Sequence, residues 1–208
     1  MALPDLPARH AGSHHDTVSM YCADGPAQRA YAAVKERLYA IDRWRELNDS
    51  IKTDFLLCGP EGEPSTRSPQ RGDYIRIDLA GPGSPSGGGY DWVVITQIAE
   101  ETGDQPWAAM TVKPSPPPGQ DQGNVAHFYE GGATNTFVVR RVGQCILAEV
   151  HGRNEEPNVA DAPLLDRLRN EAVALAGKLG FGKVQWKDWT DGMVSVIQTN
   201  PDGDTGFE

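Results

Sequence analysis

Apolar positions along this chain follow two rhythms. Tyr31, Val34, Leu38, Ile41 and Trp44 recur every three or four residues, which puts them on one face of a helix running from about residue 26 to Leu47. Asp24 and Pro26 supply a cap and an early-turn proline. Leu165, Leu168, Ala172, Leu175 and Leu179 repeat the rhythm behind Asp161 and Pro163, and Gly180 is placed to stop this second helix. Residues 185–194 read as a further short turn or helix, with Trp186 and Trp189 packing inward.

Between the helices the period falls to two. Residues 51–58, 73–79, 90–98, 107–113, 127–129, 134–141 and 144–151 read as strands, separated by runs rich in Gly, Pro, Ser and Asp. Strands that succeed one another without helices between them pair antiparallel. The expectation is an α+β fold, a curved antiparallel sheet of about six to seven strands packed with an N-terminal and a C-terminal helix. Residues 1–24 lack an apolar period and are expected to form a mobile arm, residues 25–197 a single domain and residues 198–208 an acidic tail.

Composition then removes several classes of function. Against 19 Lys and Arg stand 29 Asp and Glu, a formal charge of −10, so the clustered cations of a nucleic-acid binder are missing. No apolar run is long enough to span a bilayer, and Pro4, Asp5 and Pro7 do not suit a secretory leader. Neither nucleic acid nor membrane is therefore expected as a partner, and the expected location is cytoplasmic. Cys22, Cys58 and Cys145 are too few and too scattered for a disulfide framework or a zinc site, and Cys145 reads as a buried thiol within a strand. Outside the arm only His127 and His151 remain as imidazoles, so neither metal nor cofactor is expected. The glycine-rich stretch 81–89 lacks the Lys-Ser/Thr pair of a phosphate loop and joins two strands, which makes it a flexible hairpin loop.

The last two strands carry the chemistry. With Val142 and Gly143 at the hairpin tip, Phe137 would oppose Ala148 and Val139 would oppose Ile146 on an apolar side. On the other side Thr136 would meet Glu149 and Thr134 would meet His151, and Arg153 extends that side because residues two apart share a face. Arg76 and Asp78 repeat the design on the strand at 73–79. If these strands share one hollow, Arg76, Asp78, Thr134, Thr136, Glu149, His151 and Arg153 line it as convergent polar groups over an apolar floor. The competing reading is a solvated sheet face laced by cross-strand ion pairs. Glu155 and Glu156 are adjacent and point apart, so Glu149 with Asp78 would make the better carboxylate pair.

No catalytic signature is present. The sequence is read as a non-catalytic cytoplasmic binding protein with a polar-lined pocket for a small molecule or peptide. One alternative is an enzyme using His151 and Glu149 as acid and base, with Arg153 or Arg76 holding an anionic substrate. The other is a subunit of a larger assembly, with sheet edges and the Trp-rich C-terminal segment contacting a protein partner.

Overall fold

The computed structural model describes residues 4–79, 84–120, 125–127, 129–158 and 181–199. Seven strands form one curved antiparallel sheet: β1 (Ser13–Cys22), β2 (Asp54–Cys58), β3 (Tyr74–Asp78), β4 (Asp91–Glu101), β5 (Trp107–Pro114), β6 (Thr134–Val142) and β7 (Cys145–Glu155). The spatial order is β1-β7-β6-β5-β4-β3-β2. Strands β2 to β7 therefore run as a meander, and β1 crosses over to pair with the last of them. Helix α1 (Ala27–Tyr39), a 3-10 segment (Ile41–Leu47) and helix α2 (Phe181–Thr199) contribute to the core on one face of the sheet. This is the α+β architecture that the alternation of periods predicts.

The first helix ends earlier than its apolar period. Trp44 explains the break, because its indole Nε1 donates to the carbonyls of Arg37 (3.1 Å) and Leu38 (3.3 Å) at the end of α1. The chain tightens into the 3-10 segment, and Ile41 and Trp44 still reach the core. There Trp44 packs against Phe137 (ring centroids 4.8 Å), Trp189 (5.3 Å) and Phe55 (5.3 Å). Trp189 is 1% exposed and Trp186 packs beside it, so residues 185–194 belong to a 19-residue helix, longer than the sequence suggests.

The β6–β7 hairpin keeps the expected faces but shifts the pairing by two residues. Val142 pairs with Cys145, so Gly143 and Gln144 form the tip, and Gly143 adopts the positive φ of 60° that a primed turn needs at its first position. Phe137 thus opposes Val150, Thr136 opposes His151 and Thr134 opposes Arg153.

Three further expectations change. Residues read as arm supply β1, which pairs with β7 from Ser13 to Cys22. Of its inward residues, His15, Thr17 and Ser19 are polar and Tyr21 packs on the core; Ser19 is held by the Thr190 hydroxyl (2.8 Å) and the Asp191 carboxylate (2.6 Å) of α2 instead of by apolar burial. Cys22 and Cys145, directly opposed on β1 and β7, form a disulfide, so Cys145 is not a free thiol; Cys58 is the free, buried one. Disulfides are rare in a reducing cytosol, so the cysteines no longer argue for a cytoplasmic location. Of the strand expected over residues 127–129, the described His127 lies in no strand and Tyr129 makes an isolated bridge with Pro157. The helix expected over 161–179 and residues 200–208 of the tail lie outside the described residues. Among the described residues, no helix is long and apolar enough to cross a membrane.

Candidate functional site

Five of the seven predicted site residues share one region. Thr134, Thr136, Glu149, His151 and Arg153 lie together on β6 and β7, on the sheet face turned away from the helices. Arg76 and Asp78 do not join them. Strands β4, β5 and β6 separate β3 from β7, a distance of roughly 19 Å at the usual strand spacing. Arg76 instead stacks its guanidinium over the Tyr90 ring at 4.3 Å, and Asp78 is exposed at the register position opposite Asp54. The Glu149–Asp78 carboxylate pair is excluded by the same separation.

What assembles around His151 is a half-buried ionic strut. Its Nε2 meets Glu149 Oε2 at 2.9 Å, and its Nδ1 meets Asp16 Oδ1 at 2.6 Å. Arg140 donates from Nε to the other oxygen of Glu149. Arg153 lies 2.6 Å from Asp16 Oδ1 and also donates to the carbonyls of His15 (2.9 Å) and Gly152 (2.8 Å). Arg9 caps the second oxygen of Asp16 at 2.8 Å. Beside the strut, the hydroxyls of Thr136 and Thr111 are 3.0 Å apart.

Charge states follow from these contacts. Burial works to raise the Glu149 carboxyl, but hydrogen bonds from His151 and Arg140 outweigh it and hold the group below its usual range. Burial likewise opposes ionisation of Asp16, and His151 and Arg153 bring it down to about 2. For His151 desolvation pulls downward, and the two carboxylates more than reverse it, so the imidazolium is favoured. With both nitrogens bonded to carboxylates, this ring has no lone pair to offer a substrate.

The opposite face of the same strands holds a second polar group, and sequence reasoning missed it. Ile95, Val112, Asn135, Gly152 and His15 follow one another in register across β4, β5, β6, β7 and β1. The row passes from apolar to polar as it approaches β1. Its last member is joined by Glu155 because of a bulge. Between the pairs His15–Gly152 and Ser13–Glu155, β7 has one residue more than β1, and Asn154 takes a φ of 56° there. Such a bulge re-aims the following side chain, and Glu155 Oε2 comes within 3.3 Å of His15 Nδ1. The Ser13 hydroxyl donates to the same carboxylate at 3.4 Å.

Gly152 makes this contact possible. A Cβ at that position would lie 2.1 Å from His15 Cε1, 2.3 Å from His15 Nδ1 and 2.7 Å from Glu155 Oε1. The imidazole therefore leans into space that any other residue would fill. The side chains of His15 and Glu155 are only 9% and 6% exposed, yet His15 Nε2 is buried and has no hydrogen-bond partner among the described residues, and the same holds for Asn135 Oδ1. Near by, burial first and the Glu155 charge second push the Tyr129 phenol well above its ordinary value. The sequence signal for this arrangement was slight: the His-Gly-Arg-Asn run beginning at His151 contains an Asn that tolerates a left-handed turn, but nothing marked His15 as part of a strand.

Among the described residues, no group of three or more His, Cys, Asp or Glu is placed to hold a metal ion. No protein-family description matches the sequence. No curated protein matches it either. In chain course it is similar to several solved structures. One is a START superfamily protein from Mycobacterium smegmatis, with 14% identity, 84% of this chain and 99% of that one covered, and a TM-score of 0.34. Another is Ara h 8.0201, with 12% identity, coverages of 90% and 100%, and a TM-score of 0.37. A third is the di-domain ARO/CYC StfQ from the steffimycin biosynthetic pathway, with 14% identity, coverages of 89% and 52%, and a TM-score of 0.38.

Proposed function

We propose that this protein binds a small molecule, without transforming it, against the helix-facing side of the sheet where β6, β7 and β1 meet. The observation that carries this reading is the pair of buried, unpartnered polar atoms, His15 Nε2 and Asn135 Oδ1, on one register row. Folded proteins satisfy most buried polar atoms, because leaving one unpaired costs about 1–3 kcal/mol. Two such atoms on one row, beside an apolar stretch formed by Ile95 and Val112, match the chemistry of a ligand site, in which a few polar groups converge on an apolar wall. On the outer face the charged groups around His151 bond one another and fasten β1 to β7, although Thr134 Oγ1 beside them is also buried without a partner among the described residues.

The test is a thermal-shift screen of small apolar molecules bearing one or two polar groups, followed by titration on the intrinsic fluorescence of the tryptophans. A concentration-dependent rise in melting temperature that disappears in Gly152→Ala supports the reading. A complete panel without a shift overturns it, as does a ligand whose binding is untouched by Gly152→Ala.

A further inference from the structure

The inner row also specifies what kind of ligand end it would read, an inference that rests on the binding site proposed above. A carboxylate can only accept, so the proton between Glu155 Oε2 and His15 Nδ1 is carried by the imidazole. In the neutral form of the ring, that tautomer leaves a bare lone pair at Nε2. Asn135 Oδ1, the other unpartnered atom, is an acceptor as well. Both open valences of the row therefore call for a donor.

The surroundings reject charge of one sign and favour an apolar body. Glu155, 6% exposed, stands directly behind His15, and its negative charge repels an anion approaching Nε2. Arg153, the cation next along β7, spends its guanidinium on Asp16 and on the carbonyls of His15 and Gly152. The neighbouring row, Met110, Phe137 and Val150, is apolar and already covered by the core, with Phe137 against Trp44, Trp186 and Trp189.

We propose that the row recognises a neutral molecule with an apolar body and a hydroxyl or N–H end, a phenol being the simplest case, and that His15 Nε2 and Asn135 Oδ1 accept from that end. This reverses the polarity of the enzyme alternative read from the sequence, in which Arg153 or Arg76 held an anionic substrate.

Three probes on one naphthalene body separate the possibilities: 2-naphthol, which donates; 2-methoxynaphthalene, which cannot; and 2-naphthoate, which is anionic. Titrated calorimetrically on the full chain, 2-naphthol should bind about tenfold more tightly than either of the others, the worth of one hydrogen bond. His15→Phe and Asn135→Leu should each bring 2-naphthol close to the level of the ether, with circular dichroism unchanged. His15→Gln, which restores an acceptor, should recover part of the difference. Equal binding of naphthol and ether overturns donor recognition and leaves the binding site standing. Tightest binding of the naphthoate overturns it too, since the row would then be presenting a cation. If none of the three binds while the wider panel yields a ligand, only the ligand class is wrong; if the panel also fails, both readings fall.

Discussion

Strands β1 and β7 carry two histidines at neighbouring register positions, His15 on the helix side and His151 on the outer side, in opposite circumstances. His151 lies between two carboxylates, each of which is also held by an arginine. His15 has one carboxylate and an unpartnered nitrogen. Both are buried, and both would pass for catalytic or binding residues by type alone. The difference teaches that a buried histidine is informative through its open valence: a network closed on itself fastens strands, whereas a network left one bond short keeps a valence to be filled.

Two substitutions should pull the regions apart. His151→Leu has the larger effect on stability, a loss of about 3 kcal/mol in urea unfolding; Arg140 remains on Glu149, which keeps the loss at the lower end for a broken buried ion pair. Ligand affinity at the inner row should stay the same. Gly152→Ala should cost less stability, about 2 kcal/mol, because its new methyl crowds a side chain and leaves the sheet ladder intact. Yet it should abolish binding, since the His15 ring has nowhere else to sit within the row. Finding the reverse pattern, with binding lost on the outer face and stability on the inner, would dissolve the distinction.

How far the sequence revealed these regions depended on the range of the interaction involved. Local alternation placed Glu149, His151 and Arg153 on one face of β7 and Phe137 and Val139 on the opposite face of β6, because a pleated strand imposes that separation whatever lies around it. Moving the tip by one residue shifts the pairing by two and leaves the faces intact for the same reason. Strand order is a long-range property, and nothing in residues 73–79 records that three strands intervene before β7, so Arg76 and Asp78 were wrongly brought into the cluster. Strand β1 escaped detection because its inward residues His15, Thr17 and Ser19 are polar, while Val18 and Met20, 45% and 61% exposed, point outward. Its pattern is the inverse of the one that marks a half-buried strand. Asp16, one of the two carboxylates on His151, and the His15 end of the inner row were hidden along with it.

Acidity offers the mildest test, because it perturbs the strut without removing an atom. The His151 value is raised on folding, so its contribution to stability is complete below the ordinary value of 6.5 and is lost as pH rises through the folded value. Asp16 and Glu149 are lowered, so theirs is complete above 3.8 and 4.5 and is lost as pH falls through the folded values, about 2 for Asp16. The strut is therefore strongest between about pH 4.5 and 6.5, with a gentle decline on the alkaline side. Urea unfolding from pH 6 to 9 should show that decline in the native sequence and a flatter profile in His151→Gln. An unchanged alkaline slope in the variant would mean that another group takes up the proton, and the outer ring would then be a neutral hydrogen-bonding link, not a charged one, which would weaken the contrast with His15 on which the comparison of the two faces rests.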